Sequence, residues 1–210
     1  MDDPLVCVVD DDDAVRLSTS LLIETLGLPV RSFASALEIL ADDETLRRAH
    51  CLVLGVRMPG LSGMGLQERL ARLGHDLPII FVSAHGDVPM VARAMRDGAF
   101  DFLQKPFNEQ ALLDRIQEAV QLAAAQRAAR ARLAEIQARI ASLTTRESEV
   151  MAGMVAGRLN KQIAEDLGIS MKTVEQHRSR VMEKLQVDSL AELVRLVVSI
   201  GWSAEPKSGP

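Results

Sequence analysis

Leu5-Val6-Cys7-Val8-Val9-Asp10-Asp11-Asp12-Asp13 decides how the first half of this chain folds. Five apolar residues with no helical period read as a buried strand, and the four acids after them stand where a strand ends and a helix begins. Moving outward, short apolar runs recur at residues 28–33, 51–54, 79–83 and 99–103. Between them lie stretches with helical spacing: Val15, Leu22, Ile23 and Leu26; Leu66, Leu70 and Leu73; Val91, Ala94 and Met95. Gly27, Gly74 and Gly98 fall where those helices should stop. Short strands alternating with helices predict an α/β unit built on a parallel sheet covered on both faces.

Ligands of such sheets gather at the carboxyl ends of the strands. The first strand ends in Asp10 to Asp13, the third in Gly55-Val56-Arg57-Met58-Pro59-Gly60, the fourth in Ser83-Ala84-His85-Gly86, and the fifth in Lys105-Pro106-Phe107. Carboxylates, a hydroxyl and an ammonium converging at one edge are the chemistry of a magnesium-assisted phosphoryl site, with oxygen ligands for a hard cation and donors for phosphoryl oxygens. Singly, Asp12 and Asp13 suit a helix N-terminus and Lys105 a surface charge. It is the agreement of four strand ends that points to a site.

Charge divides the chain into three. Residues 1–122 carry a net −8, residues 123–141 a net +3, and residues 142–210 none. With 210 residues, two domains and a connector fit this division. No apolar run is long enough to span a membrane, and the start has no basic segment before its apolar stretch, so neither a membrane partner nor a signal peptide is expected and the protein should be cytoplasmic. Cys7 and Cys51, each inside an apolar run, read as buried reduced thiols or else as a redox pair; no histidines stand at metal-ligand spacing beside them.

VVDDDDAV (8–15), LVLGVRMPGLSG (52–63) and FVSAHGDVPMVARAMRDGAFDFLQKPF (81–107) together resemble a receiver domain of the FixJ type. The resemblance covers residues 1–122 and implies a flavodoxin-like five-stranded parallel sheet in the order 2-1-3-4-5. It implies that Asp11 is the direct metal ligand, that Asp10 acts through water, and that Arg57 offers its backbone carbonyl. Ser83 matches the switch hydroxyl, Phe102 the aromatic switch and Lys105 the family's lysine. The departure is Gly55, which stands where the family holds the phosphorylated aspartate. Glycine offers neither nucleophile nor ligand, so the pocket is expected to be degenerate, to have no resident cofactor and to bind magnesium weakly at best. Gly55 fits either a receiver that is degenerate by nature or a substituted form of an ordinary one.

From Asn108 to Leu143 there is no Pro or Gly, and helix formers dominate. Asn108 is a candidate cap for one helix of about 34 residues, roughly 50 Å long. Leu112, Leu113, Ile116 and Val120 should pack on the receiver. Leu133, Ile136, Ile140 and Leu143 form a heptad-like seam, read either as one helix resting on its own protein or as a two-stranded dimer contact. Arg127, Arg130, Arg132 and Arg139 read as solvated.

Residues 142–203 predict four helices, at about 146–156, 160–167, 171–185 and 189–201, with residues 204–210 a flexible tail. Thr144 or Thr145 with Glu147 or Ser148 looks like a capping start, Asn160 and Ser170 like N-caps, and Gly157 and Gly168 like stops. Val150, Met154, Leu159, Ile163, Leu167, Ile169, Val174, Val181, Leu185, Leu193 and Leu196 are the expected core. NKQIAEDLGISMKTVEQHRSRVMEKL (160–185) is a helix-turn-helix pattern, in which small Ala164 allows close approach and Gly168 makes the turn. With LTTRESEV (143–150) it resembles the DNA-binding domain of LuxR- and FixJ-type regulators. By position, Glu175, Gln176 and Ser179 face bases, while Lys172, Thr173, Arg178, Arg180 and Lys161 face phosphates; His177 contacts backbone or packs inward.

Three functions follow: a DNA-binding regulator independent of aspartyl phosphorylation, a phosphorylation-switched regulator present in a form that cannot be phosphorylated, or an interaction protein that pairs with an intact relative. The resemblance implies double-stranded promoter DNA, RNA polymerase, a second copy of the chain and a histidine kinase as partners. Met90, Val91, Ala94, Met95 and Phe100 would carry receiver pairing, joined by Leu133, Ile136 and Ile140. With the nucleophile missing, an enzyme is not expected.

Overall fold

Alternation along β1 (Leu5–Val9) and β3 (Ala49–Gly55), both wholly buried, sends successive side chains to opposite faces of one sheet. The computed structural model describes residues 4–84 and 86–202, and the tail expected at 204–210 lies outside them. With β2 (Val30–Phe33), β4 (Ile79–Ser83) and β5 (Asp101–Gln104), these strands form a parallel sheet in the order β2-β1-β3-β4-β5. Between them run α1 (Asp13–Glu24), α2 (Ala36–Ala41), α3 (Asp43–Arg48), α4 (Gly63–Arg72) and α5 (Val88–Arg96). One face of the sheet (Cys7, Val9, Leu52, Leu54, Phe81) packs with Ile39, Leu46, Leu66, Leu70 and Ala94 from α2 to α5. The other (Val6, Val8, Cys51, Val53, Ile80) packs with Ile23 of α1 and with Leu112, Ile116 and Ala119.

That alternation answers the cysteine question. Cys7 and Cys51 occupy adjacent strands but opposite cores, so they form no redox pair. Burial pushes the Cys7 thiol up to about 12 and raises that of Cys51 further, which keeps both protonated. Three strands differ from expectation at their ends: the third runs from Ala49 to Gly55, beyond both ends of the apolar run at 51–54. The second begins at Val30 because Pro29 lacks the amide that would extend it. The fifth begins at Asp101 because Ala99 still donates to Ala94 O in the turn that closes α5.

The connector is one helix, α6 (Glu109–Ala141), started by Asn108, whose Oδ1 accepts from Gln110 N at 2.8 Å. The chain divides into two compact units between Arg127 and Ala128, within this helix. In the first unit, Leu112, Leu113, Ile116, Ala119, Val120 and Ala123 bury one stripe of α6. Arg127 is not solvated as expected: its guanidinium donates to the carbonyls of Arg47, Arg48 and Ala49 at the end of α3, where helix carbonyls are left unsatisfied. Among the described residues no helix is long and apolar enough to cross a membrane.

The second unit holds α7 (Thr145–Val155), α8 (Asn160–Leu167), α9 (Met171–Leu185) and α10 (Leu190–Ser199) around Val150, Met154, Ile163, Val174, Val181, Leu185 and Leu193. Two expectations fail here. Asn160 is the first helical residue and not the cap; Leu159 precedes it, and its amide is taken by Gln162 Oε1 at 2.8 Å. At that cap position the Leu159 side chain points off the helix and is 70% exposed, not core. Ile140 and Leu143 pack on this unit's own core, so half of the heptad-like seam is already used, while Leu133 is exposed and Ile136 half-buried.

Candidate functional site

At the strand tips, Asp10 ends β1 half-buried, its Oδ1 accepting from Asp12 N at 3.0 Å and its carbonyl accepting from Arg16 Nη1 at 2.8 Å. Burial raises its carboxyl above the ordinary aspartate range; the Asp12 amide and the Lys105 charge act the other way. Asp12 is the N-cap of α1, accepting from Ala14 N and Val15 N, and Asp13 pairs with Arg16. Only Asp10 and the exposed Asp11 therefore remain for a cation.

Gly55 ends β3 directly beside Asp10. A Cβ at residue 55 would fall 2.9 Å from Asp10 Oδ2 and 3.2 Å from its Cγ. The Asp10 carboxylate thus occupies the space into which an acceptor side chain would grow. Gly63, the first residue of α4, crosses the same point: its N donates to Val56 O at 2.9 Å, and a Cβ there would lie 2.2 Å from Gly55 O. Only a glycine lets the start of α4 pass that carbonyl, a requirement the sequence pattern did not reveal.

Ser83 is buried at the end of β4, where its carbonyl accepts from Lys105 N at 2.8 Å, which brings Lys105 to the same edge. Phe102 turns inward onto Phe81, with ring centroids 6.0 Å apart. Arg57 is exposed at the pocket mouth. Among the described residues no group of three or more His, Cys, Asp or Glu is placed to hold a metal ion. Gly55 adds no carboxylate at this edge, so Asp10 and Asp11 are the anionic oxygens the pocket offers a hard cation.

The proposed pairing face does not assemble as expected. Ala94 is fully buried against the sheet, and Phe100 packs on the opposite core from Met90. Helical spacing had put Ala94 with Met95, but the stripe at Met90 and Ala94 is the one the sheet needs. Met95 is exposed and Val91 half-buried, so this helix offers a partner only the Met95 side.

In the second unit, Gly168 closes α8 with a φ of +65°, a left-handed conformation that glycine adopts without strain. Ser170 then caps α9, its Oγ accepting from Thr173 N at 3.1 Å. With Val174, Val181 and Leu185 buried, Lys172, Glu175, Gln176, Ser179 and Arg180 all lie exposed on the outer side, with Arg178 half-buried beside them and Lys161 exposed on α8. Two predicted contacts are partly committed elsewhere. The Thr173 hydroxyl shares a hydrogen bond with Ser170 Oγ at 2.8 Å. His177 is half-buried, with its Nδ1 enclosed, which favours packing over backbone contact. Lys184, unremarked in the sequence, turns away from the outer side to Glu147 Oε2 at 2.6 Å.

Comparison with known proteins agrees with both halves. The profile of the response regulator receiver domain matches residues 6–117, and that of the bacterial regulatory proteins of the luxR family matches residues 141–197. The response regulator protein TmoT of Ectopseudomonas mendocina is 44% identical over 91% of this chain and 87% of its own length. The transcriptional regulatory protein FixJ of Azorhizobium caulinodans is 43% identical over 98% of this chain and 97% of its own. Among solved structures, the response regulator StyR is 46% identical, with a TM-score of 0.87 over 94% of this chain and all of that one. Full-length FixJ from B. japonicum is 41% identical, with a TM-score of 0.58 over 94% of this chain and 97% of that one.

Proposed function

Because this chain belongs to the response regulators that join a receiver domain to a LuxR-type DNA-binding domain, we propose that it is a transcription regulator whose receiver takes no phosphoryl group at residue 55. The single observation behind this reading is the geometry at Gly55: no side chain is present, and the Asp10 carboxylate fills the position such a side chain needs. Magnesium, which in an intact pocket would screen the carboxylates and phosphoryl oxygens, is held weakly at best by the remaining Asp10 and Asp11. Lys105 compensates the charge of Asp10 instead.

The receiver implies a histidine kinase as partner, and the output domain implies double-stranded DNA. In this reading the α9 face (Lys172, Glu175, Gln176, Ser179, Arg180) enters the major groove, with Lys161 and Arg178 at phosphates. A single helix makes too few contacts for high specificity, so a homodimer on two half-sites engages RNA polymerase at the promoter, its assembly governed by a partner or by the resting equilibrium.

The test is incubation of the full chain with magnesium and radiolabelled acetyl phosphate, followed by gel shift on promoter DNA. The expected result is no covalent label and undiminished DNA binding. Label on any acid of residues 4–122, or binding that appears only after phosphodonor treatment, rejects the proposal.

A further inference from the structure

The recognition helix needs a fixed tilt, and its apolar underside supplies burial but little direction. Val174, Val181 and Leu185 are held by contacts that tolerate small rotations, because hydrophobic burial is non-directional. Direction comes from hydrogen bonds at the far end of α9. Lys184 Nζ donates to Glu147 Oε2 at 2.6 Å and to Ser142 O at 3.1 Å, and Arg139 Nη1 reaches Leu185 O at 3.4 Å. The same Glu147 Oε2 accepts from Thr144 N at 2.8 Å, and Thr144 Oγ1 accepts from Glu147 N, a capping box that fixes the first turn of α7. Glu147 is only 3% exposed. Lys184 is half-buried, and its ammonium is engaged by the Glu147 carboxylate and the Ser142 carbonyl.

We propose that Lys184 is a positioning residue for DNA recognition. It touches no phosphate, but through Glu147 and the Ser142 carbonyl it sets the angle of α9 against the start of α7, and so the register in which Gln176 and Ser179 meet base edges. The inference rests on the reading of α9 as the groove-entering helix. Its chemistry is that of an ionised pair: the Lys184 ammonium and the Thr144 amide hold the Glu147 carboxyl far below the usual range, at about 2, so the clasp stays charged at any pH at which DNA is bound.

Positioning and phosphate contact differ in salt dependence. Loss of a phosphate contact lowers the slope of log affinity against log salt by about 0.9, whereas loss of positioning leaves the slope and removes discrimination. The experiment uses the full chain, the tightest duplex it selects from a random-sequence library, and a scrambled duplex of equal composition. Lys184→Met should cut the ratio of selected to scrambled affinity at least tenfold with an unchanged salt slope. Lys184→Arg should restore most of that ratio. Glu147→Gln should match Lys184→Met, and the double variant should be no worse than either. Affinities are referred to the fraction folded, read from Trp202 fluorescence; should Lys184→Met not fold, Glu147→Gln and Lys184→Arg carry the comparison. An unchanged affinity ratio in a folded variant, or a salt slope that falls by about one charge, overturns the inference. If the unsubstituted chain selects no duplex, the groove-entry reading itself fails.

Discussion

Returning a carboxylate to residue 55 tests the geometry of the strand-tip pocket most directly. In Gly55→Asp the new Cβ lies 2.9 Å from Asp10 Oδ2, and the two carboxyl groups come within roughly 4 Å of one another. Two full charges at that distance repel by about 4 kcal/mol at an effective dielectric near 20. Asp10 is half-buried and can swing toward water, so the net loss should be about 1–3 kcal/mol, or roughly 4–15 °C in the melting temperature of a receiver-sized unit. Gly55→Ala adds the Cβ without the charge and isolates the steric part. The new carboxylate, third beside Asp10 and Asp11, also completes an anionic oxygen set, so magnesium at about a hundredfold excess over its dissociation constant should return about 2.7 kcal/mol to the aspartate variant. Calorimetry of the full chain with EDTA or magnesium reads both effects. The only tryptophan, Trp202, packs on the second unit's core, so its fluorescence provides an internal control that should not move. The reasoning is refuted if Gly55→Asp is as stable as the parent in EDTA, or if the parent gains as much from magnesium as the variant.

The DNA face gives a paired prediction: Lys172→Gln should weaken all duplexes alike and lower the salt slope by about 0.9, whereas Gln176→Ala should cost about 1–3 kcal/mol on the selected duplex alone, both read by fluorescence anisotropy. His50, buried and facing Arg127 at 3.1 Å, has its pKa lowered by burial first and by that guanidinium second. Because the folded value lies below the unfolded one, the associated stability is present above the unfolded pKa of about 6.5 and is lost as pH falls through the folded value. Arg127→Gln should raise the His50 pKa in an NMR titration and speed amide exchange in the turn of α6 before residue 127; an unmoved titration contradicts the contact. On α5, Ala94→Glu should unfold the receiver, because it buries an unpaired charge, while Met95→Glu should leave the unfolding free energy within about 0.5 kcal/mol of the parent and reduce self-association in light scattering.

Much of the fold is legible because it is governed by local rules. The unbroken apolar runs of β1 and β4, the αL glycine at 168 and the capping signals at Thr144 and Ser170 act over a few residues, and their outcome can be read without knowing what packs against them. The paired short helices α2 and α3 were not legible, since six residues each carry too little periodicity to register. Neither was the direction of Leu159, which an apolar side chain alone does not reveal.

By itself, the sequence determined the two-domain division, the strand order implied by its resemblance, and the absence of a carboxylate at residue 55. Tertiary structure alone decided where that absence leads: Asp10 leans into the vacated space, Arg127 closes the end of α3 from about 80 residues away, and Lys184 crosses 37 residues to Glu147. The physical reason is one of range. Backbone preference and capping are written into neighbouring residues, whereas a charge finds its partner only after distant segments have been packed together, and nothing in the spacing of the chain announces which partner that will be.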